Sequence, residues 1–180
     1  MPEDKKQLCV NLYGGPGCGK STCAAYVFSR LKALGIKTEL ITEFAKDCVW
    51  ENNLTAIANQ CYVFGNQYYR MWRVKGMDVI ITDSPLLLTS IYDTSLPEVK
   101  DALARLALAA YREFDNLDFF LRRVRPFEQE GRVHNEEESH RNDSRIKRLL
   151  CDCGIRAVTV DGNDEGFDRI VEIIRERAGK

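Results

Sequence analysis

The sequence predicts an α/β fold in which five parallel strands form one sheet between two layers of helices. Two observations support this fold class. Short runs rich in β-branched residues alternate with longer segments of helical period, which is typical of βαβ units. The strand-like runs are apolar, as expected for parallel strands that are covered on both faces. The chain has 180 residues, a length that suits one domain spanning residues 1–180.

Strands are predicted where a short apolar run ends at a glycine or a turn-forming residue. The first run, LCVNLYG, ends in glycines, and the third, VIITD, is followed by Ser84-Pro85. The five predicted strands span residues 8–14, 38–42, 79–83, 117–121 and 157–160. Because helical segments separate them, we expect crossover connections and a parallel sheet.

Helices are predicted where apolar residues recur every three or four positions. The first has Cys23, Val27 and Leu31 on one face, and Gly35 follows its end, as glycine often does. The predicted helices span residues 20–34, 55–74, 97–114, 139–151 and 164–177. We expect the helix over 97–114 to bury a face formed by Val99, Leu103, Leu106 and Ala110.

Charge and cysteine content narrow the function classes. The chain has 26 lysines and arginines against 27 acidic residues, a formal net charge of −1, which excludes a uniformly basic nucleic-acid coat but not a local basic patch. Its 7 cysteines form no Cys-x-x-Cys pair, which favours free thiols in a reducing compartment. The sequence shows no signal peptide and no apolar run of membrane-spanning length. We therefore expect a cytoplasmic protein without membrane contact.

A glycine-rich loop follows the first predicted strand and opens the first predicted helix. The pattern G-x-x-x-x-G-K-[ST], which cradles nucleotide phosphates, is matched by Gly14, Gly15, Pro16, Gly17, Cys18, Gly19, Lys20 and Ser21, with Thr22 next in the helix. Glycines let backbone N–H groups turn toward phosphate oxygens, and the helix N-terminus adds partial positive charge. Lys20 is expected to reach the β- and γ-phosphates and Ser21 to ligate Mg²⁺. The sequence therefore predicts binding of ATP with Mg²⁺.

Two acidic residues stand at the carboxyl ends of predicted strands, which face the ligand crevice in open α/β sheets. Asp83 can hold Mg²⁺ through water beside the loop, or it can form an Asx-turn with Ser84-Pro85. Glu43 can accept the proton of an acceptor hydroxyl, or it can simply flank a helix start. We expect Glu43 or Asp83 to be the catalytic base.

The segment 122–138 has no helical or strand period and is rich in arginine. Phosphoryl transfer needs cations over the γ-phosphate and exclusion of water, both of which an arginine-bearing lid provides. Arg123 and Arg132 are therefore candidate catalytic residues, with Arg122 and Arg125 in the same segment. The alternative is a solvated charged loop.

The predicted helix over 55–74 combines amide and aromatic side chains. Gln60 and Gln67 are seven positions apart and share a face. Amides can read the edge of a base, and aromatic rings can stack on it. The candidate substrate contacts are therefore Gln60, Gln67 and Arg70, together with Glu43 and Phe44 after the second strand. The alternative is that the aromatic rings fill the core and the amides face solvent.

At these residues the chain resembles P-loop kinases of nucleosides and nucleotides, above all the nicotinamide-riboside-kinase-like AAA ATPase family of phages. The matching segments are GGPGCGKST, TEFAKD, the glutamine-bearing helix, VIITDSPLL and GRVHNEEES with the helix that holds Asp143 and Ile146. The resemblance implies a three-layer P-loop fold with strand order 2-3-1-4-5, and, for a phage protein, the host-cell cytoplasm. Deoxynucleoside kinases are similar in their Glu after the second strand, but have Glu-Arg-Ser where this chain has Asp83-Ser84-Pro85.

Three functions are open. The first is transfer of the γ-phosphate of Mg²⁺·ATP to a hydroxyl of a nucleoside- or nucleotide-like small molecule. The second is phosphorylation of 5-hydroxymethyluracil within DNA, since a phage kinase with that activity has a similar P-loop. The third is a nucleotide-binding regulator that hydrolyses ATP slowly. A guanine-reading switch protein is disfavoured because the chain has no Asn-Lys-x-Asp run. We expect a monomer or a homodimer.

Overall fold

The computed structural model describes residues 6–124 and 136–179. In these residues five strands pair in one all-parallel sheet with the order β2-β3-β1-β4-β5. The strands are β1 (Leu8–Tyr13), β2 (Thr38–Ile41), β3 (Val79–Thr82), β4 (Asp115–Arg122) and β5 (Val158–Asp161). The predicted fold class and strand order are both confirmed.

Helices cover both faces of the sheet. They are α1 (Lys20–Ala33), α2 (Phe44–Trp50), α3 (Leu54–Ala58), α4 (Gln60–Trp72), α5 (Thr89–Tyr92), α6 (Pro97–Tyr111), α7 (Glu136–Asp152) and α8 (Asp164–Ala178), with a 3₁₀ turn at Leu86–Leu88. Helices α1 and α8 share one core with the sheet. Helices α4 and α6 form a second core on the other face, and α7 forms a third beside it.

The strand β1 shows why the sheet is buried on both sides. Leu8, Val10 and Leu12 belong to the core under α1 and α8. The alternate residues Cys9 and Tyr13 belong to the two cores on the opposite face. Side chains of a strand alternate between faces, so a strand that is buried at every position, as β1 is, fits only between two layers. The carboxyl ends of the parallel strands meet at one edge, where the connecting loops are free to bind a ligand.

The predicted helix over 55–74 is wrong as one element. The chain forms α3 and α4 instead, separated at Asn59, whose φ of −93° and ψ of 93° are not helical. The Asn59 side chain accepts a hydrogen bond of 3.1 Å from the backbone N–H of Tyr62 and caps α4. Helices α2 and α5 and the 3₁₀ turn were not predicted, because these pieces are too short to show a helical period.

The predicted apolar face of α6 is only half right. Leu103 and Ala110 are buried, whereas Val99 and Leu106 are 42% and 53% exposed. Ala107 is buried in their place, so the buried face follows Leu103, Ala107 and Ala110. None of the helices within residues 6–124 and 136–179 is long and apolar enough to cross a membrane.

Candidate functional site

The glycine-rich loop curls tightly between β1 and α1. Gly14, Gly17 and Gly19 have positive φ angles of 141°, 82° and 93°, which side chains rarely tolerate. A Cβ atom at Gly14 would lie 2.5 Å from Sγ of Cys18 and 3.0 Å from the carbonyl oxygen of Leu121. Glycine at position 14 is therefore required for this curl.

The N-terminus of α1 opens into the loop. Gly19 is its N-cap, and within the described residues no side chain caps it and no acidic residue lies in its first turn. The backbone N–H of Cys23 makes an early helical hydrogen bond to the Gly19 carbonyl at 2.8 Å. The N–H groups that precede it can bind an anion, which the helix dipole also favours. Ser21 and Thr22 are exposed on this same turn.

The ammonium group of Lys20 lies against the loop. It donates hydrogen bonds to the carbonyl oxygens of Gly14 and Gly15 at 2.7 and 3.1 Å. Burial lowers the pKa of Lys20, but surrounding groups that include Glu43 and Asp83 outweigh burial, and the pKa is raised overall. Lys20 is therefore a protonated cation, and the two strand-end carboxylates are near enough to stabilise its charge.

Glu43 follows β2 and occupies the N-cap position of α2, with φ −63° and ψ 120°. Among the residues that the structure describes, its side chain accepts no capping hydrogen bond, so it does not serve the helix start. Burial raises the pKa of Glu43; the charge of Lys20 opposes this shift, and that of Asp83 adds to it. Lys20, Glu43 and Asp83 thus form one electrostatic group at the carboxyl edge of the sheet.

Asp83 comes directly after β3 and is only 7% exposed. An Asx-turn needs the N–H two residues further on, which Pro85 lacks. The Ser84 N–H is bonded instead to Oγ1 of Thr82 at 3.1 Å. Oδ1 of Asp83 has no hydrogen-bond partner in the part of the chain that the structure describes. A buried carboxylate oxygen in this state is costly, so the position suits a cation.

These groups fit a magnesium–nucleotide complex. Mg²⁺ prefers oxygen ligands and takes one or two protein groups together with waters and phosphate oxygens. The Ser21 hydroxyl and the Asp83 carboxylate would hold the cation. The N–H groups of the loop and the ammonium group of Lys20 would hold the phosphates.

The amides of Gln67 and Gln60 were predicted to contact a substrate, but both form hydrogen bonds within the protein. Gln67 is 2% exposed, and its amide accepts a hydrogen bond from the Phe44 N–H at 2.9 Å and donates one to Oγ1 of Thr82 at 3.3 Å. Gln60 is also buried, and its amide donates to the Ile57 carbonyl at 2.8 Å. Gln67 therefore ties the ends of β2 and β3 together, and Gln60 supports the start of α4.

Arg70 also has internal partners. It forms an ion pair with Asp47 and donates a hydrogen bond of 3.3 Å to the Thr42 carbonyl. Its guanidinium carbon lies 5.1 Å from the centre of the Phe44 ring, and that ring meets the Tyr62 ring edge-on at 5.5 Å. The result is a partly exposed aromatic wall directly after Glu43.

A family model described as an AAA domain matches residues 9–166. The chain belongs to this family. The match runs from β1 to the start of α8 and includes the phosphate loop, Glu43 and Asp83. It identifies a P-loop nucleotide-binding domain, as the geometry of the loop indicates. A search of curated proteins returned no match.

The predicted lid of this AAA domain needs a correction at both ends. Arg122 ends β4 and pairs with Asp161 through hydrogen bonds of 2.5 and 2.9 Å. At the other end, Glu136 already begins α7. Arg125 and Arg132 lie outside the described residues, so the role of Arg132 stays a prediction.

Arg123 lies on the phosphate loop of the AAA domain. One of its terminal nitrogens donates two hydrogen bonds, one of 3.1 Å to the Pro16 carbonyl and one to Oγ of Ser139. The same nitrogen is 3.5 Å from Oδ2 of Asp143, and the side chain is 7% exposed. Arg123 thus links the loop to α7 and does not extend into solvent as a free lid arginine would.

Two further groups of the AAA domain reach the site without a sequence signal. Tyr92, at the end of α5, is close enough to Lys20 and Glu43 to exchange electrostatic effects with both; burial raises its pKa. Asp143 contacts the loop from α7, 128 residues along the chain from Gly15. The resemblance marked Asp143, but neither residue has a local pattern that predicts contact with the site.

Proposed function

We propose that this AAA domain is an ATP-dependent kinase that transfers the γ-phosphate of Mg²⁺·ATP to an alcohol group of a nucleoside- or nucleotide-like substrate. The observation that carries the proposal is the placement of two carboxylates, Glu43 and Asp83, after neighbouring strands at the carboxyl edge of the sheet, near enough to Lys20 to affect its charge. A site that only binds nucleotide needs the loop and one carboxylate. A second carboxylate, the half-buried Glu43, suits deprotonation of an acceptor.

The sheet register supports different roles for the two carboxylates. β3 pairs directly with β1, where Thr82 is opposite Asn11, so Asp83 stands next to the strand that leads into the phosphate loop. β2 is one strand further out, with Ile41 opposite Thr82. Asp83 is therefore assigned to Mg²⁺, and Glu43 to the acceptor side as the base.

Bound Mg²⁺·ATP would supply the phosphoryl group, and the cation would offset the negative charge of the phosphates. In the proposed reaction the acceptor hydroxyl forms a new bond to the γ-phosphorus, the bond to the β,γ-bridging oxygen breaks, and ADP leaves with that electron pair. Glu43 accepts the hydroxyl proton. Lys20 and the loop N–H groups stabilise the charge on the phosphate oxygens, so most of the catalysis is positioning and electrostatics.

The acceptor side favours a substrate with a flat ring. Phe44 follows Glu43 directly, and its ring packs against Tyr62 and Arg70. Aromatic faces stack on bases of any sequence. This arrangement, together with the resemblance to nicotinamide-riboside-kinase-like proteins of phages, supports a nucleoside-like acceptor.

A hydroxymethylated base in DNA is a second candidate acceptor with the same chemistry. Trp50 on α2 and Tyr69 and Trp72 on α4 are 73%, 61% and 51% exposed, and the Lys75 ammonium lies 4.9 Å from the centre of the Trp72 ring. Exposed aromatic rings with nearby cations are typical of surfaces that bind unstacked bases.

The experiment is a transfer screen with ATP labelled at the γ-phosphate. The acceptors are nucleosides, nucleotides, nicotinamide riboside and DNA that contains 5-hydroxymethyluracil. We expect label in an acceptor, no transfer by Lys20→Ala, and much slower transfer by Glu43→Gln at unchanged ATP affinity. Glu51→Gln, at the exposed end of α2, is the matched control. Release of labelled phosphate without any labelled acceptor would favour a regulatory ATPase instead.

A further inference from the structure

Helix α7 forms hydrogen bonds with two consecutive residues of the phosphate loop, Gly15 and Pro16. Oδ1 of Asp143 accepts a hydrogen bond of 2.5 Å from the backbone N–H of Gly15. The carbonyl of Pro16 accepts hydrogen bonds from Oγ of Ser139 and from Arg123. Ser139 is fully buried and the Asp143 side chain is 18% exposed, so the contact is largely shielded from solvent.

The contact is too close for any side chain at position 15. A Cβ atom at Gly15 would lie 2.5 Å from the Ser139 carbonyl oxygen and 2.8 Å from Oδ1 of Asp143. Gly15 is not one of the glycines with a positive φ angle. Backbone conformation therefore does not explain why glycine stands at this position. The space is taken by α7, which explains why glycine is needed there.

Helix α7 is itself held in place. Ile146 and Leu150 are buried in the core beneath it. Arg145 donates hydrogen bonds to the Ile91 carbonyl and to Oδ1 of Asn142. Asp143 is therefore presented to the loop by a fixed support.

The charge of Asp143 is balanced where it meets the loop. A carboxylate beside a phosphate site repels a triphosphate. The Arg123 guanidinium lies 3.5 Å from the Asp143 carboxylate and offsets that repulsion. The pair can hold the loop without opposing the nucleotide.

We propose that Asp143 is a positioning residue that holds the phosphate loop in its ATP-binding curl through the Gly15 N–H, with Arg123 as its counter-ion. The proposal deepens the proposed kinase function and concerns the same site. Asp143 fixes one end of the loop, at residues 15–16, while the N–H groups near Gly19 and Lys20 bind the phosphates. ATP then binds to a loop that is already ordered, and less binding energy is spent on ordering it.

The test compares Asp143→Ala, Asp143→Asn and a control, Asp152→Asn, on the exposed end of the same helix. Equilibrium binding of a fluorescent ATP analogue is measured for each folded variant. Loss of the charge-assisted hydrogen bond leaves the loop to be ordered on binding, so Asp143→Ala should weaken ATP binding by about tenfold. Asp143→Asn keeps an acceptor for Gly15 and should lose less. Asp152→Asn should bind like the unchanged chain.

Two readouts separate positioning from a general loss of structure. The Gly15 amide should exchange its hydrogen faster in Asp143→Ala, while amides of the β1 core stay protected. In the transfer assay, KM for ATP should rise while kcat changes by no more than about threefold, because saturating ATP restores the ordered loop. If Asp143→Ala fails to fold, the same binding and exchange measurements on Asp143→Asn decide the question.

Unchanged or tighter ATP binding by folded Asp143→Ala would overturn the proposal, since the contact would then be neutral or would compete with nucleotide. The kinase proposal fails separately, if no acceptor is labelled. Weaker binding by Asp143→Ala in a chain without transfer activity would support the loop contact and reject only the kinase.

Discussion

The side-chain amide of Gln67 accepts a hydrogen bond of 2.9 Å from the backbone N–H of Phe44. Its nitrogen donates to Oγ1 of Thr82 at 3.3 Å. Phe44 follows Glu43, and Thr82 precedes Asp83. One buried side chain therefore sets the spacing between the two carboxylates on which the proposed chemistry depends.

Gln67→Met should lower kcat about tenfold while ATP binding stays within about twofold, because the carboxylates lose their spacing and the phosphate loop is untouched. Loss of the two hydrogen bonds in a buried site should also destabilise the fold by about 1–3 kcal/mol. Steady-state kinetics and urea unfolding measure the two effects. The control is Gln60→Met, which removes a local bond to the Ile57 carbonyl and leaves the Phe44 and Thr82 contacts of Gln67 in place. Equal losses of kcat in both variants would contradict the spacing role.

The pH dependence of transfer should report the ionisation of Glu43. Burial raises the pKa of this carboxyl above its ordinary value of 4.5, against the opposing charge of Lys20. A base works only when ionised, so kcat/KM should rise with pH through an acid limb that lies above the usual range for glutamate. Glu43→Gln should be slow at every pH and should lack that limb. An unchanged acid limb in Glu43→Gln would assign it to another group.

Local patterns predicted the parts of the site that the chain builds locally. The glycines, Lys20 and Ser21 are consecutive, and their pattern alone implies a strand, a tight curl and a helix. Asp83 and Glu43 could be predicted because each ends an apolar run, and strand ends share one edge of a parallel sheet. The fold class followed from the same alternation of strands and helices.

The contacts that join distant segments could not be predicted in this way. Gln67 was expected to read a base because it shares a face with Gln60, but its partners come from β3 and the start of α2, 15 and 23 residues away. Asn59 ends α3 and caps α4. The apolar residues keep their helical spacing across this break, so the sequence pattern does not reveal it. Asp143 meets Gly15 because α7 packs against Phe120 of β4, which brings its first turns to the loop. Such pairings depend on packing, which a single sequence does not encode locally.

Gly15→Ala and Gly65→Ala should have opposite effects on stability. A Cβ at Gly15 would clash with the Ser139 backbone at 2.5 Å, whereas one at Gly65, inside α4, would meet no described residue within 4 Å. Alanine in an exposed helical site stabilises by about 0.5–1 kcal/mol relative to glycine, so Gly65→Ala should raise the free energy of unfolding. Gly15→Ala should lower it and weaken ATP binding. Thermal unfolding with and without ATP tests both, and a stable Gly15→Ala with normal ATP binding would contradict the close approach of α7.

Asp118 on β4 should make the fold less stable as pH rises. It is 6% exposed and accepts hydrogen bonds from the Tyr111 hydroxyl at 2.6 Å and from the Asn11 amide at 3.1 Å. Burial nevertheless raises its pKa above the ordinary 3.8, because these hydrogen bonds offset only part of the desolvation.

A carboxyl whose pKa is raised on folding contributes stability that is fully present below its unfolded pKa and is lost as pH rises through its folded pKa. The free energy of unfolding of the unchanged chain, minus that of Asp118→Asn, should therefore fall as pH rises through that interval. Asp161→Asn is the contrasting variant, because its hydrogen bond to Arg122 lowers the pKa of Asp161. The free energy of unfolding of the unchanged chain, minus that of Asp161→Asn, should instead fall as pH drops. Urea unfolding over a pH series measures both differences, and the same sign in the two variants would contradict the assignment of the Asp118 shift to burial.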